Sequence, residues 1–324
     1  MGSTLPIKTE FEDNFFNEEW RSDHFVSSTV KKIWAVEIDL LNQFIEFCEH
    51  YQITYYAAFG TMLGAMRHGG FIPWDDDIDV VVPRKDYELI EKYASDYFRE
   101  PYFFQTERTD PGFSRHFARL RNSSTTAIPE GDLYSHLKTN QGIWIDIFPM
   151  DNIPDDIKER KQWTKSLNRI HRRMRDFSRM TFRYNIRSNN ETFLKKIRFV
   201  IGPTIKWIWE NAHLKNPFYE KYEQLSKKYI YDNTKTVGVP WFTQFKERIY
   251  WECGCFEKEK AVPFENVQII IPVGAEKILE QLYGDWTVPV KGTAIHRNTL
   301  FDPENSYKLY VNDPKRLIER VKEG

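Results

Sequence analysis

Residues 75–82, Asp-Asp-Asp-Ile-Asp-Val-Val-Val, place aspartates two positions apart at the entrance to an apolar run. Because side chains two positions apart share a face of a β-strand, Asp77 and Asp79 are predicted to point one way. Ile78 and Val80 are predicted to point the other way, into a core. Two carboxylates about 7 Å apart on one rigid face repel each other unless a cation lies between them. Oxygen ligands at this spacing favour a hard divalent ion, Mg²⁺ or Mn²⁺.

The residues before the acidic run predict a phosphate-binding turn. An apolar segment at 55–59 is typical of a buried strand, and Gly60 and Thr61 interrupt it before a helical pattern at 62–68. A glycine turn that opens a helix offers backbone N–H groups to a phosphate, so both residues are predicted to contact one. A phosphate-binding turn beside an acidic, metal-binding strand indicates phosphoryl transfer.

Two other interpretations of the acidic run fit less well. An EF-hand loop needs glycine at its sixth position and glutamate at its twelfth, where this chain has Val80 and Asp86. The valines that directly follow the acidic run argue against a solvated acidic loop. Asp75 is predicted to orient the loop or a metal ligand.

Residues 142–151 form a second apolar strand that contains an acid. An aspartate within such a strand is costly to bury unless it is paired or binds a metal. Asp146 is therefore predicted to be the third carboxylate of the site, beside Asp77 and Asp79. Asp151 follows the strand and is predicted to cap the next helix.

Arginines alternate along residues 115–121, which predicts a strand with one cationic face. Arg119 or Arg121 is predicted to bind a diphosphate, because a guanidinium group pairs with phosphate through two hydrogen bonds. The other interpretation is an edge strand that its charges keep soluble.

Two motifs resemble the signature of the LicD family of phosphotransferases. They are F-G-T-M-L-G at 59–64 and R-H-G-G-F-I-P-W-D-D-D-I-D at 67–79. That family, with the fukutin-related proteins, belongs to the nucleotidyltransferase superfamily, whose glycine turn, Asp-x-Asp strand and third carboxylate match this chain. V-P-F-E at 262–265 and L-Y-G-D-W at 282–286 are weaker similarities. The resemblance implies an α+β fold, a nucleotidyltransferase-like mixed sheet flanked by helices, with a helical insertion.

The resemblance also implies a reaction. It is Mg²⁺-dependent transfer of a phospho-alcohol, with phosphocholine favoured, from a CDP-activated donor such as CDP-choline. The acceptor is a hydroxyl of a cell-surface glycan, as in lipopolysaccharide or teichoic acid, or of a lipid-linked glycan precursor. The metal ligands are Asp77, Asp79 and Asp146, which are also the catalytic residues. The predicted phosphate- and substrate-binding residues are Gly60, Thr61, Arg67, Arg119, Arg121, Glu265 and His296.

Two other functions remain open from the sequence. One is a nucleotidyltransferase that uses a nucleoside triphosphate on a sugar phosphate, a small molecule or RNA. The other is a catalytically silent glycan-binding module. The presence of all three predicted carboxylates argues against this second function. The net charge of −1 argues against general nucleic-acid binding.

The pattern along the chain predicts three parts. Residues 1–154 form the catalytic core, 155–235 a basic and aromatic helical insertion, and 236–324 a part that completes the core and the acceptor site. Within the insertion, apolar residues recur at helical spacing between lysines and arginines. This helix is either a lid packed on the core or, with Phe199, Ile205, Trp207 and Trp209, a surface that contacts a membrane.

Three cysteines provide no disulfide framework and predict a reducing compartment. No signal peptide or membrane-spanning run is predicted. The expected location is therefore the cytoplasm, with peripheral contact at the inner face of the membrane.

Overall fold

A computed structural model describes residues 5–129, 138–178, 204–205, 207–209, 211–240, 248–290 and 299–313. The strands are β1 (Glu19–Arg21), β2 (His24–Val26), β3 (Tyr56–Ala57), β4 (Asp79–Pro83), β5 (Tyr102–Gln105), β6 (Ala118–Asn122), β7 (Thr126–Pro129), β8 (Ile143–Ile153), β9 (Thr236–Gly238), β10 (Tyr250–Glu252), β11 (Glu259–Phe264), β12 (Val267–Pro272) and β13 (Thr299–Asp302). The helices are α1 (Ser28–Tyr51), α2 (Phe59–His68), α3 (Arg84–Tyr97), α4 (Ile157–Ser178), α5 (Tyr219–Ser226), α6 (Ala275–Tyr283) and α7 (Lys308–Val311).

A seven-stranded mixed sheet organises the core around β8. One path across it runs β10-β9-β8-β4-β3, while β6 also pairs with β8 and β5 pairs with β6. The 11 residues of β8 allow it to pair in parallel with β4 and antiparallel with both β6 and β9. The mixed sheet with flanking helices confirms the predicted α+β class. The predicted boundaries at 154/155 and 235/236 stay predictions, although β9 and β10 extend the central sheet.

Helix α1 packs against β6 and β8. The Ser27 hydroxyl caps its first turn by accepting a hydrogen bond from the Val30 amide at 3.4 Å. The face towards the sheet includes Trp34 and Phe44, both fully buried. The indole ring of Trp34 stacks on Phe71 at 4.6 Å between centroids, which fixes the helix against the glycine loop before the acidic run.

Helix α4 covers the region predicted as a basic amphipathic helix. Its buried stripe consists of Trp163, Leu167, Ile170 and Met174, four residues at helical spacing. Asp156 caps its first turn by accepting from the Glu159 amide at 2.8 Å, so the prediction that Asp151 caps it is wrong. No helix within the described ranges is long and apolar enough to cross a membrane.

Asp151 instead belongs to a buried ion network. It accepts from Arg84 Nε at 2.5 Å and from Arg84 Nη2 at 2.8 Å. Arg84 Nη1 also donates to Glu223 at 3.0 Å, which ties α3, β8 and α5 together. We refer to Arg84, Asp151 and Glu223 as the arginine network.

Candidate active site

Three side chains stand in a row across the central sheet. Asp79 in β4 is in register with Asp146 in β8, and Asp146 is in register with Arg119 in β6. Arg119 Nε donates to Asp146 Oδ1 at 2.6 Å. The parallel pairing of β4 with β8 therefore brings together two of the three predicted carboxylates. Of the two predicted arginines, Arg119 is the one that lies beside them.

The loop that contains the acidic run extends further along the chain than the sequence predicts. Strand β4 begins only at Asp79, so the predicted alternation at Asp77 is wrong. One carboxylate oxygen from each of Asp75, Asp76 and Asp77 lies within 4.8 Å of the other two, which a strand would not allow. The Trp34 indole N–H donates to the Asp75 carbonyl at 3.1 Å and holds this loop against α1.

Burial and nearby like charges raise the pKa values of Asp75 and Asp79. Burial raises the pKa of Asp79 well above its ordinary range, Asp77 and Asp146 raise it further, and Arg119 opposes them. Burial, with Asp76 nearby, raises the pKa of Asp75 to about 6. A bound cation would relieve this repulsion.

A further acid, Glu37, was not predicted from the sequence. It lies in α1 and is 1% exposed, and its Oε2 has no hydrogen-bond partner among the described residues. Burial raises the pKa of Glu37 well above its ordinary range, and Asp77 is the next largest cause. The signal was present, because Glu37 stands in the apolar run 33–41 as Asp146 stands in its strand. We refer to Glu37, Asp75, Asp76, Asp77, Asp79 and Asp146 as the acidic cluster.

A cavity of about 480 Å³ opens beside the acidic cluster. Three acids of the cluster line it, together with two arginines, four aromatic residues and several aliphatic ones. The acids of the cluster are Asp75, Asp77 and Asp79, the arginines Arg67 and Arg248, and the aromatic residues Phe59, Trp74, Tyr283 and Trp286; Asp285, outside the cluster, also lines the cavity. Arg67 Nη1 donates to the Trp286 carbonyl at 2.9 Å, so the predicted phosphate-binding arginine also holds the cavity wall.

The amino end of α2 faces the same cavity. The first intrahelical bond runs from the Met62 amide to the Ala58 carbonyl, so the N–H groups at 59–61 have no intrahelical acceptor. A Cβ on Gly60 would lie 2.4 Å from Asp75 Oδ2, so a side chain there would displace that carboxylate. The Thr61 hydroxyl accepts from the Asp79 amide at 2.8 Å. Thr61 thereby joins α2 to β4, a side-chain role that the sequence did not indicate.

Two predicted substrate-binding residues, Arg121 and Glu265, lie outside the cavity wall. Arg121 is buried and donates to the Gln105 side chain and the Gly142 carbonyl. Glu265 accepts from both terminal nitrogens of Arg21 and from the Phe71 amide at 3.0 Å, and it does not line the cavity. These contacts favour structural roles for Arg121 and Glu265. His296 lies outside the described residues.

The acidic cluster fits a hard divalent cation. Its donors are carboxylate oxygens, which Mg²⁺ and Mn²⁺ prefer. Burial first, and like charges second, raise the pKa values of Glu37, Asp75 and Asp79, and a bound cation would oppose these shifts.

Comparison with known proteins identifies the domain that carries this cluster. A family model described as the LicD/FKTN/FKRP nucleotidyltransferase domain matches residues 52–184. The chain is also similar to the lipopolysaccharide cholinephosphotransferase LicD of Haemophilus influenzae, with 23% identity over 265 residues. That alignment covers 80% of this chain and 91% of the relative. Residues 52–184 therefore match a LicD-family nucleotidyltransferase domain, and this stretch contains all acids of the cluster except Glu37.

Proposed function

We propose that this protein transfers phosphocholine from a CDP-activated donor, CDP-choline, to a hydroxyl of a glycan. The acceptor is lipopolysaccharide or a lipid-linked glycan precursor. The proposal rests on one observation, the convergence of the acidic cluster and the amino end of α2 on one cavity. The similarity to a lipopolysaccharide cholinephosphotransferase supports phosphocholine and this class of acceptor.

In the proposed reaction, the acceptor hydroxyl attacks the phosphorus that bears choline. The bond between that phosphorus and the bridging oxygen breaks, and CMP leaves with the bridging oxygen. Asp75, Asp77, Asp79 and Asp146 would hold Mg²⁺, which would neutralise the diphosphate and stabilise the attacking and leaving oxygens. Arg67 would add positive charge beside the leaving group, and Gly60 would donate its amide N–H to a phosphate oxygen.

A carboxylate of the acidic cluster would take the proton of the acceptor hydroxyl. Asp146 accepts a hydrogen bond from Arg119 Nε, which favours an anchoring role for this carboxylate. Asp75, Asp77 and Asp79 line the cavity instead, so we assign the proton to one of them.

The aromatic wall of the cavity supports choline as the transferred alcohol. A trimethylammonium group cannot donate a hydrogen bond and binds best against the faces of aromatic rings. Trp74, Tyr283 and Trp286 supply such faces beside the acids. A polyol such as ribitol would gain little from them. The predicted cytoplasmic location belongs to this proposal and agrees with three free thiols.

The test combines thermal stability with product analysis. The purified protein is mixed with Mg²⁺ and, in turn, CDP-choline, CDP-ribitol, CDP-glycerol, CTP and ATP. We expect CDP-choline to raise the melting temperature only when Mg²⁺ is present and CMP to be released slowly. Stabilisation by a triphosphate alone, with release of pyrophosphate, would contradict the proposal and support nucleotidyl transfer.

A further inference from the structure

Four exposed apolar side chains lie within residues 205–214, a segment that contacts the last turn of α4, and none of them lines the cavity. They are Ile205, Trp207, Ile208 and Leu214, which are 48%, 56%, 55% and 46% exposed. Trp209 connects this group to the helix, because its ring lies 6.0 Å from that of Phe177 in the last turn of α4. Trp209 Nε1 also donates to the Lys215 carbonyl at 2.6 Å, so this tryptophan braces the segment while Trp207 stays exposed. We refer to the four exposed residues as the apolar patch.

Helix α4 carries a line of cations on the face opposite to its buried stripe. They are Lys158, Lys161, Lys165, Arg169 and Arg172, separated by three or four residues. All five are exposed, and none forms an ion pair with a residue in the described part of the chain. At 1.5 Å per residue they extend over about 21 Å. We refer to them as the basic stripe.

We propose that the apolar patch and the basic stripe bind an anionic lipid bilayer. Cationic side chains are attracted to an anionic membrane surface, and exposed tryptophan and isoleucine side chains insert at the boundary between headgroups and acyl chains. The apolar patch and the basic stripe would together hold the enzyme at a membrane. The inference does not depend on the proposed phosphocholine transfer, because vesicle binding is measured without any donor.

A nucleic acid is the other polyanion that a basic helix could bind. The apolar patch favours the bilayer, because Ile205, Ile208 and Leu214 have no aromatic face for stacking on bases. Phosphate contacts alone would leave the patch exposed to water.

The first experiment measures sedimentation of the full-length protein with vesicles. Vesicles of equal phosphatidylglycerol and phosphatidylcholine are compared with vesicles of phosphatidylcholine alone. We expect binding to the anionic vesicles at low salt and weaker binding at high salt, since salt screens surface charge. Equal binding to both vesicles, or none to the anionic ones at low salt, would overturn the proposal.

Two sets of substitutions then test each half of the surface. Lys165→Gln, Arg169→Gln and Arg172→Gln together should weaken binding to anionic vesicles about 100-fold. Trp207→Ala with Ile208→Ala should weaken it about tenfold at any salt concentration.

Matched controls carry the same changes elsewhere on the surface. Lys258→Gln, Lys260→Gln and Lys277→Gln remove three exposed charges outside α4. Trp20→Ala with Phe25→Ala removes an exposed aromatic pair on the β1–β2 hairpin. The controls should bind vesicles as wild type does. If they lose as much affinity as the test variants, the apolar patch and the basic stripe are not the membrane surface.

A competition assay tests whether a nucleic acid, rather than a bilayer, binds the basic stripe. Single-stranded RNA is added to the protein with anionic vesicles, and bound RNA is measured for wild type, the basic-stripe variant and the Trp207→Ala variant. We expect weak RNA binding that is insensitive to Trp207→Ala. Tight RNA binding that requires the basic stripe, together with loss of vesicle binding, would overturn the proposal in favour of a nucleic-acid partner.

Discussion

The arginine network and the acidic cluster are both groups of buried charges, yet they are completed in different ways. In the arginine network, Arg84 pairs with Asp151 through two hydrogen bonds and with Glu223 through a third. Burial raises the pKa of Glu223 to about 7, so partial protonation brings the network towards neutrality. In the acidic cluster, burial raises the pKa values of Glu37 and Asp79, and neighbouring carboxylates raise them further. The first group contains its own cation, Arg84, and the second is suited to a cation from outside the protein.

The largest expected effect comes from Asp79→Asn. Loss of this carboxylate should reduce turnover at least about 10³-fold, because a metal ligand next to Asp146 is removed. Since one of several repelling charges disappears, the metal-free variant should melt at or above the temperature of wild type. Turnover measured by CMP release, together with melting in EDTA, checks both results. Wild-type turnover would exclude Asp79 as a metal ligand.

Arg84→Met tests the arginine network. Without the guanidinium, Asp151 and Glu223 remain buried near each other, which should cost about 3–5 kcal/mol of unfolding free energy. Urea unfolding measures this loss. Lys277→Met is the control, because its pair with Glu252 is exposed, and it should leave the urea midpoint almost unchanged. Equal shifts for both variants would contradict the contrast between buried and exposed ion pairs.

Glu37→Gln tests whether the buried carboxylate of Glu37 contributes to the metal site. We expect this variant to bind Mg²⁺ about tenfold more weakly, because an outer carboxylate of the site is lost, while its metal-free form gains stability. Calorimetric titration with Mg²⁺ and melting in EDTA measure the two effects. The matched control is Glu107→Gln, whose carboxylate accepts from the Gly112, Ser114 and Asn216 amides. That control should lose stability and keep its Mg²⁺ affinity, and the reverse pattern would exclude Glu37 from the site.

The smallest effect concerns pH. The pKa of Asp75 rises from 3.8 to about 6 on folding, so the folded protein binds this proton more tightly than the unfolded chain does. Its contribution to stability is present below pH 3.8 and is lost as the pH rises to about 6. In EDTA, the stability difference between wild type and Asp75→Asn should grow by roughly 1–2 kcal/mol over this interval. Saturating Mg²⁺ should remove the dependence, and a flat difference in EDTA would contradict the raised pKa.

The local order of elements around the acids could be predicted from the sequence. Periodicity and glycine placement indicated β3, α2 and β4, and the lone acid in an apolar strand indicated Asp146. These signals are local, because alternation and turn chemistry depend on neighbouring residues. The same argument applied to α1 would have indicated Glu37.

The partners of the other charged residues could not be predicted, because they depend on register and on distant segments. Arg119 and Arg121 share a face of β6, and only the pairing of β6 with β8 places Arg119 beside Asp146. Glu265 bonds Arg21, a residue 244 positions away. The start of β4 was predicted too early because alternation does not show that adjacent aspartates can converge in a loop.

The bond between the Thr61 hydroxyl and the Asp79 amide has a thermodynamic consequence. It joins the helix end proposed to bind phosphate to the strand proposed to bind the cation. Displacing one element would therefore displace the other, and whichever ligand binds first would restrict both. Nucleotide and cation should then bind with positive cooperativity, each increasing the affinity for the other by the same factor. Replacing Thr61 with valine would reduce that factor without removing a group proposed to contact either ligand.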